Sequence, residues 1–256
     1  MIRISLSYLY SFAKELEPLS ALPEQDDIPY SDVFLPLWSA KQSMENMHYH
    51  SVFAPYLVSS RQTASALMND LDGLLNDPKF DRTIGRFEII AIKRDVDQYR
   101  IAFLAEVGIL NSYFVTQKLP FDSGALLSAG ENLMPLDLLA KAPEAIVDAR
   151  EAGKCLAYEA PTAAGFHLFR VLESVLRRYY AHVTGGRAPP KQRNIAVYIN
   201  AMRQAKKGDE KILSTIKQIG DHHRNPLSHP EAILTVDEAI AAAGIVRSAV
   251  TLMLVD

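Results

Sequence analysis

The sequence predicts a mainly α-helical protein, and three observations support that class. Apolar residues recur at helical spacing over long stretches, for example in residues 55–76 and 162–183. Proline and glycine clusters separate these stretches and leave short connections between them. The chain has 256 residues, of which 48% are hydrophobic and 22% charged, so it can build a substantial core in one large or two small domains.

Residues 1–134 are predicted to form a mostly helical N-terminal region, in which the sequence shows no recognisable activity. Residues 1–17 fit a strand or a helix, and the prolines that follow indicate an irregular stretch over residues 18–36. Helices are expected over residues 37–48, 55–76 and 83–106. The aromatic and β-branched stretch 112–116 predicts one strand. His48 and His50 are interpreted as surface histidines.

Residues 135–256 are predicted to form an antiparallel helical bundle. Helices are expected over residues 135–157, 162–183, 194–206 and 209–223, and the buried stripe of the second includes Phe166. The last helix begins after Thr235, because Thr235 and Glu238 have the spacing of a capping box. Helices joined by short connections favour antiparallel packing around one core.

Charge is spread unevenly along the chain, whose formal net charge is −3. Residues 161–256 carry 13 Lys and Arg against 8 Asp and Glu, a net of +5. Residues 1–160 carry 14 against 22, a net of −8. This asymmetry fits an anionic partner for the C-terminal part, and it equally fits mutual attraction between the two parts.

Several classes of protein are disfavoured by the sequence. Cys155 is the single cysteine, so an internal disulfide is excluded, and its apolar helical context predicts a buried small side chain. We find neither a secretory cleavage pattern nor an apolar run of membrane-spanning length. The expectation is a cytoplasmic protein without membrane contact.

The segment from Arg224 to His229 carries the strongest chemical signal. An Arg can bind a phosphate and stabilise the charge that develops on it, and a His can move a proton near neutral pH. Asn225 adds a polar group beside the Arg. Because Pro226 disfavours helix at Asn225, we expect the chain to kink or break there, so that Arg224 and His229 converge on one cleft.

This segment also carries a resemblance to a known family. The stretch Asp221-His222-His223-Arg224-Asn225-Pro226-Leu227-Ser228-His229-Pro230-Glu231, followed by a capped helix, resembles the signature end of HEPN domains. Residues 166–180 are similar to the early long helix of that family. The resemblance covers roughly residues 135–256, and Pro226 departs from the usual pattern of the motif.

The resemblance implies a small helical domain that commonly forms homodimers. Many members are metal-independent endoribonucleases in toxin–antitoxin pairs or phage defence, and others are inactive binding modules. In active members the Arg and His of the motif are catalytic, which corresponds here to Arg224 and His229. Asn225 matches the polar residue of the motif, Glu173 is the candidate supporting residue on the long helix, and His223 is a further supporting candidate.

The chemistry expected of such a site needs no metal and no cofactor. His229 would take the proton of the RNA 2′-hydroxyl, and Arg224 would stabilise the charge on the phosphate. The products would be a 2′,3′-cyclic phosphate and a 5′-hydroxyl, and DNA would be inert because it lacks the 2′-hydroxyl. A symmetric dimer would supply both a base and an acid.

Structural interpretations remain open for the same residues. Arg224 could form an ion pair with Glu173 or Asp221, and His229 could cap a helix. Further basic side chains are expected to contact RNA or simply to lie on a solvated face, namely Arg170, Arg177, Arg187, Lys191 and Arg193. The functional alternatives are a non-catalytic RNA- or nucleotide-binding module and a purely structural interaction protein, such as a toxin-neutralising or scaffold subunit. An antitoxin or other protein is a candidate partner.

Overall fold

The computed structural model describes residues 4–76, 79–227 and 229–254. It confirms a mainly α-helical protein with two compact units, which meet in the sequence between Tyr113 and Phe114. The division falls before the predicted boundary at residue 134. Leu126 and Leu133 precede the predicted boundary but belong to the hydrophobic core of the second unit, so that unit begins nearer the N-terminus than predicted.

The N-terminal unit is built from four helices and a short antiparallel ribbon. The helices are α1 (Leu6–Ser20), α2 (Tyr30–Glu45), α3 (Arg61–Leu75) and α4 (Arg86–Gly108). The ribbon pairs β1 (Ile28–Pro29) with β2 (Thr83–Ile84), with Ile28 opposite Ile84. A π-helical turn over Asn46–His50 extends α2.

The predicted irregular stretch over residues 18–36 is wrong at both ends. Pro18 lies inside α1 and Pro36 lies inside α2. A proline inside a helix removes one backbone donor and crowds the preceding turn. The neighbouring side chains of Leu19 and Leu37 are fully buried, so core packing offsets this local cost.

Two further expectations for the N-terminal unit are corrected. His48 is only 1% exposed, because the π-helical turn directs it into the core, where its Nε2 lies 3.0 Å from the Tyr99 hydroxyl. Residues 112–116 form no strand. Residues with high strand propensity need a neighbouring strand to pair with, and among residues 4–76, 79–227 and 229–254 none pairs with this stretch.

The C-terminal unit consists of helices of very different length. They are α5 (Ser123–Ser128), α6 (Leu138–Lys141), α7 (Ile146–Ala157), α8 (Pro161–Val183), α9 (Ile195–Gln204), α10 (Glu210–Ile219), α11 (Asn225–Leu227) and α12 (Val236–Met253). The long α8 lies at the centre of the unit, with α7 and α12 packed against it. It contributes Glu173 to one polar cluster described below, and His167 and Arg170 to another.

The predicted helix over residues 135–157 is interrupted. Short 3-10 turns at Gly130–Leu133 and Pro143–Ala145 flank α6, and only α7 continues as a regular helix. Pro143 starts the second turn, as expected for a residue that cannot donate a backbone hydrogen bond.

The predicted capping box at the start of α12 is confirmed. Thr235 Oγ1 accepts a hydrogen bond from the Glu238 backbone N–H at 3.2 Å, and a Glu238 side-chain oxygen accepts one from the Thr235 N–H at 2.7 Å. This reciprocal pair fixes where the helix begins, a few residues after the Arg224–His229 segment. No helix in the described ranges is long and apolar enough to cross a membrane.

Candidate functional site

The Arg224–His229 segment begins in an unbroken helical path. After α10 the chain passes through a π-helical turn, Gly220–Arg224, directly into α11. Asn225 has helical angles of φ −67° and ψ −45°, and its N–H donates to the carbonyl of Gly220. The predicted break at Asn225 is therefore wrong. The wider π turn places an i→i+5 hydrogen bond immediately before Pro226, which has no backbone N–H to donate.

Close packing on α8 holds this segment in place. A Cβ atom added to Gly165 would lie 2.8 Å from Leu227 Cδ2 and 2.7 Å from Leu234 Cδ1. These distances are shorter than ordinary van der Waals contacts, so the absence of a side chain at Gly165 allows α11 and the chain before α12 to approach α8. Leu227 itself is buried.

Arg224 is anchored by the carboxylate expected to support it. Its Nε donates to Glu173 Oε1 at 3.0 Å, and the two side chains are 36% and 17% exposed. Arg177 approaches the other oxygen, with Nη2 3.8 Å from Glu173 Oε2. The terminal amino groups of Arg224 have no partner in the described part of the chain. They are therefore available to bind an anion.

The alternative pairing of Arg224 with Asp221 is not what the structure shows. Asp221 instead contacts Lys217, whose Nζ lies 2.5 Å from Asp221 Oδ2. The hydrogen bond from Lys217 lowers the pKa of the Asp221 carboxyl below its usual range. Among the residues that the structure describes, the partner of Arg224 is Glu173.

Arg224 and Asn225 line a cavity of about 250 Å³. Polar groups come from the end of α10 and the π turn, and apolar groups come from the start of α9. The remaining lining residues are Asn194, Ile195, Ala196, Ile199, Lys217, Gly220 and Asp221. The Arg224 guanidinium and the Asn225 amide at this wall are groups that can donate to a phosphate, whereas Lys217 and Asp221 pair with each other.

His229 lies outside this cavity. It follows α11 in an exposed turn, where its backbone N–H donates to the Pro226 carbonyl at 3.0 Å. Its side chain caps no described helix, since Thr235 is the cap of α12. Neither this cavity nor the second one described below has His229 in its wall.

A second cavity, of about 300 Å³, lies on the other side of the π turn. His222, His223 and Pro226 contribute to its wall. Most of the other lining side chains are apolar and come from α8, α12 and the chain before α12, including Phe169, Leu234 and Ile245. His223 thus faces a different cavity from Arg224.

The expected basic side chains fall into two groups. Arg170 and Arg177 lie on α8 and both contact carboxylates, Arg170 with Asp148 at 2.8 Å. The others lie in the connection between α8 and α9, where they are exposed and form no ion pair with the residues that the structure describes, namely Arg187, Lys191 and Arg193. Only the second group is a simple solvated basic rim.

One cluster in this unit was not predicted from the sequence. Asp148 on α7 uses the same oxygen to accept a hydrogen bond from His167 and to form an ion pair with Arg170, both on α8. The three-residue spacing of His167 and Arg170 places both on one helical face, which the sequence does show. Their meeting with Asp148 depends on how α7 packs on α8, which the sequence pattern does not specify.

Comparison of the chain with protein-family models, with curated proteins and with solved structures finds no match. The described residues also include no group of three or more His, Cys, Asp or Glu side chains arranged to hold a metal ion. Function therefore has to be argued from the geometry of the C-terminal unit.

Proposed function

We propose that the C-terminal unit is a HEPN-like domain that binds RNA and cleaves it as a metal-independent endoribonuclease. The observation that supports this most strongly is the Arg224–Glu173 pair. Glu173 fixes the guanidinium through Nε, the two terminal amino groups have no partner among the described residues, and Arg224 lines a cavity of about 250 Å³. A pre-oriented Arg with free amino groups is well suited to bind a phosphate in two-point contact.

The proposed reaction is a transesterification within the RNA strand. His229 removes the proton from a 2′-hydroxyl, and the 2′-oxygen attacks the adjacent phosphorus. The bond from phosphorus to the 5′-oxygen breaks, and that oxygen takes up a proton. Arg224 stabilises the negative charge on the phosphate as it increases. The products are a 2′,3′-cyclic phosphate and a 5′-hydroxyl end.

A homodimer is part of this proposal. One imidazole cannot conveniently be both base and acid in the same step, whereas a two-fold dimer supplies two copies of each group. His229 is exposed and lies apart from Arg224 in its own chain, so it is free to face the Arg224 of a second copy. Asn225 at the cavity wall would then contact the bound strand.

Basic side chains around the cavity would bind the rest of the strand. Arg177 lies one helical turn from Glu173, and the rim of Arg187, Lys191 and Arg193 is exposed. Contacts of this kind are electrostatic and independent of base sequence, so RNA affinity should fall steeply as salt rises. A regulated ribonuclease of this type would suit a toxin–antitoxin or phage-defence system with an antitoxin or other protein partner.

The test is cleavage of a mixed RNA pool in the presence of EDTA by wild type and by His229→Ala. The control is His182→Ala, which changes another exposed histidine at the end of α8. We expect cyclic-phosphate ends from wild type and from the control, and none from His229→Ala. Cleavage that persists in His229→Ala would exclude this residue as the catalytic base.

A second candidate function is non-catalytic binding of RNA or a nucleotide. It is favoured by one specific observation, the position of His229 outside both cavities. It predicts that RNA affinity survives His229→Ala and is lost in Arg224→Ala, with no cleavage by wild type. Overproduction in cells separates the two functions further, since an active ribonuclease should slow growth and Arg224→Ala should relieve that effect.

A further inference from the structure

The N-terminal half of α8 carries a second cluster of polar side chains, separate from the Arg224–Glu173 pair. Asp148 Oδ1 lies 2.9 Å from His167 Nδ1 and 2.8 Å from Arg170 Nε. A carboxylate only accepts hydrogen bonds, so Nδ1 of His167 carries the proton and donates it. Since both donors contact one oxygen atom, the imidazole and the guanidinium are neighbours.

Asp148 is itself well buried, whereas its two partners reach the surface. The Asp148 side chain is 12% exposed, the His167 side chain 30% and the Arg170 side chain 69%. Burying a carboxylate is costly unless it is paired, and here an Arg and a His pair with it. The carboxylate therefore holds both partners in a fixed orientation at the surface of α8.

The outward-facing atoms of this cluster are unoccupied. With Nδ1–H bonded to Asp148, the His167 Nε2 atom has no partner among the residues that the structure describes. The same holds for the terminal amino groups of Arg170, because only its Nε contacts Asp148. When the imidazole carries a second proton, Nε2–H becomes a donor beside the guanidinium donors, and this arrangement suits a phosphate ester.

An exposed aromatic ring completes the cluster. Phe166 was expected in the buried stripe of α8, but it is 46% exposed. It precedes Arg170 by four residues, so the two lie on one face of the helix. Aromatic rings beside cationic groups serve as stacking surfaces for nucleobases. This ring favours a nucleotide over a simple inorganic anion.

We propose that Phe166, His167 and Arg170, held by Asp148, form a binding site for a nucleotide unit. Arg170 and His167 contact its phosphate, and Phe166 stacks against its base. Arg170 and Glu173 are three residues apart, or ~4.5 Å along the helix axis, so one nucleic acid strand can reach both this site and Arg224. Because Arg170 belongs also to the proposed RNA surface, the inference rests in part on that proposal, but binding here needs no cleavage.

The test is an NMR titration of the full chain with two probes that cannot be cleaved by transesterification. One is adenosine 5′-monophosphate, and the other is a six-nucleotide 2′-O-methyl oligoadenylate. The signal followed is the Cε1 proton of His167, assigned with His167→Asn. We expect this signal to shift with either or both probes. A shift with the monophosphate alone would assign a free nucleotide as the ligand, and a shift with the oligonucleotide would assign a strand.

Substitutions provide a second readout of the same site. Phe166→Ala and His167→Asn should each weaken binding about tenfold. Asp148→Asn combined with Arg170→Gln should do the same without leaving a buried charge unpaired. The matched controls on α8 are Arg178→Gln, which removes a surface ion pair with Glu144, and His182→Asn. Both controls should bind like wild type.

The inference is overturned if the His167 signal stays fixed while the probes saturate, or if the site variants bind as well as the controls. This outcome differs from failure of the proposed ribonuclease. Binding at His167 without RNA cleavage would support the nucleotide site and count against catalysis. RNA cleavage with an unresponsive His167 would support catalysis and remove the nucleotide site.

Discussion

The two units of the chain use buried acidic side chains in opposite ways. In the N-terminal unit, the Glu106 carboxylate accepts hydrogen bonds from the backbone N–H groups of Val58, Ser59 and Ser60, at 2.5, 2.6 and 2.9 Å, and from the Ser60 hydroxyl at 2.6 Å. In the C-terminal unit, Glu173 holds Arg224, whose terminal amino groups have no partner in the part of the chain that the structure describes. Glu106 is fully engaged within the protein, whereas the Arg held by Glu173 has donors left for a ligand.

The histidines differ in where their second ring nitrogen lies, since the Nδ1 of His48 is buried and has no hydrogen-bond partner among the described residues. His48 is buried beside the Tyr99 hydroxyl, and burial together with the nearby charge of Arg61 lowers its pKa below the usual range. His167 is held by Asp148 with its second nitrogen facing outward. The comparison teaches that a residue type alone does not indicate function. Whether polar atoms without a partner also reach the surface is the more useful guide.

The largest expected effect on stability comes from disrupting the Glu106 cluster, in which both carboxylate oxygens accept hydrogen bonds. Glu106→Gln replaces one accepting oxygen by an NH₂ group that faces N–H donors, so those donors lose their partner. We expect the N-terminal unit to lose on the order of 3 kcal/mol of stability. Urea unfolding followed by circular dichroism measures it. Glu173→Gln serves as the comparison and should cost on the order of 1 kcal/mol; equal losses would contradict the contrast between the units.

The stabilisation that the Glu106 cluster gives should be lost in acid. Burial alone would raise the pKa of Glu106, but the hydrogen bonds from residues 58–60 outweigh it and lower the pKa from 4.5 to about 2. A depressed pKa means that the stabilisation is present above pH 4.5 and is lost as the pH falls from about 4.5 towards about 2. The difference in unfolding free energy between wild type and Glu106→Gln should therefore shrink over that range. A difference that stays constant with pH would contradict this account.

His48→Phe should have a moderate effect that also depends on pH. It removes the partner of the Tyr99 hydroxyl, which should cost about 1–2 kcal/mol at neutral pH. In wild type, the lowered pKa of His48 means that the unfolded chain binds a proton more readily, so stability falls as the pH drops below 6.5. That part of the pH dependence should disappear in the variant. Thermal melts at several pH values would show it, and an unchanged pH profile would contradict the assignment.

The smallest change in stability, but a clear change in binding, is expected for Arg224→Lys. Lysine keeps the charge and loses the planar set of donors that can hold Glu173 and a phosphate at once. RNA affinity should fall about fivefold to tenfold, with less than ~0.5 kcal/mol of destabilisation. The control is Arg203→Lys, which alters an exposed pair with Glu210. Filter binding at fixed salt measures both, and equal affinities for the two variants would exclude a binding role for Arg224.

The parts of the structure that depend on local sequence could be predicted. Helical spacing located α4 and α8, and the Thr235–Glu238 capping box set the start of α12. The Arg224–Glu173 contact is among the pairs that the sequence indicates, because Glu173 is the supporting candidate in the functional interpretation and one of two candidate partners in the structural one. The helices and the capping box follow from patterns within a few residues, and the contact follows from one expected pair of side chains.

The parts that depend on tertiary packing could not be predicted. The burial of His48 depends on a π-helical turn, and no short pattern specifies such a turn. The helical path through Asn225 contradicts the local preference set by Pro226, because the π turn before it accommodates the missing donor. Asp148 reaches His167 only through the packing of α7 on α8.

The most direct test of the account compares RNA affinity and RNA cleavage for wild type, Glu173→Gln and Glu106→Gln, at a temperature where all three are folded. Both variants remove one carboxylate. Glu173→Gln removes it beside Arg224, whose terminal amino groups have no partner among the described residues. Glu106→Gln removes it from a cluster in which both carboxylate oxygens accept hydrogen bonds. The account predicts that only Glu173→Gln binds RNA more weakly and cleaves it more slowly. Equal behaviour of the two variants, or unchanged RNA binding by Glu173→Gln, would contradict the assignment of the Arg224 cavity as the RNA site.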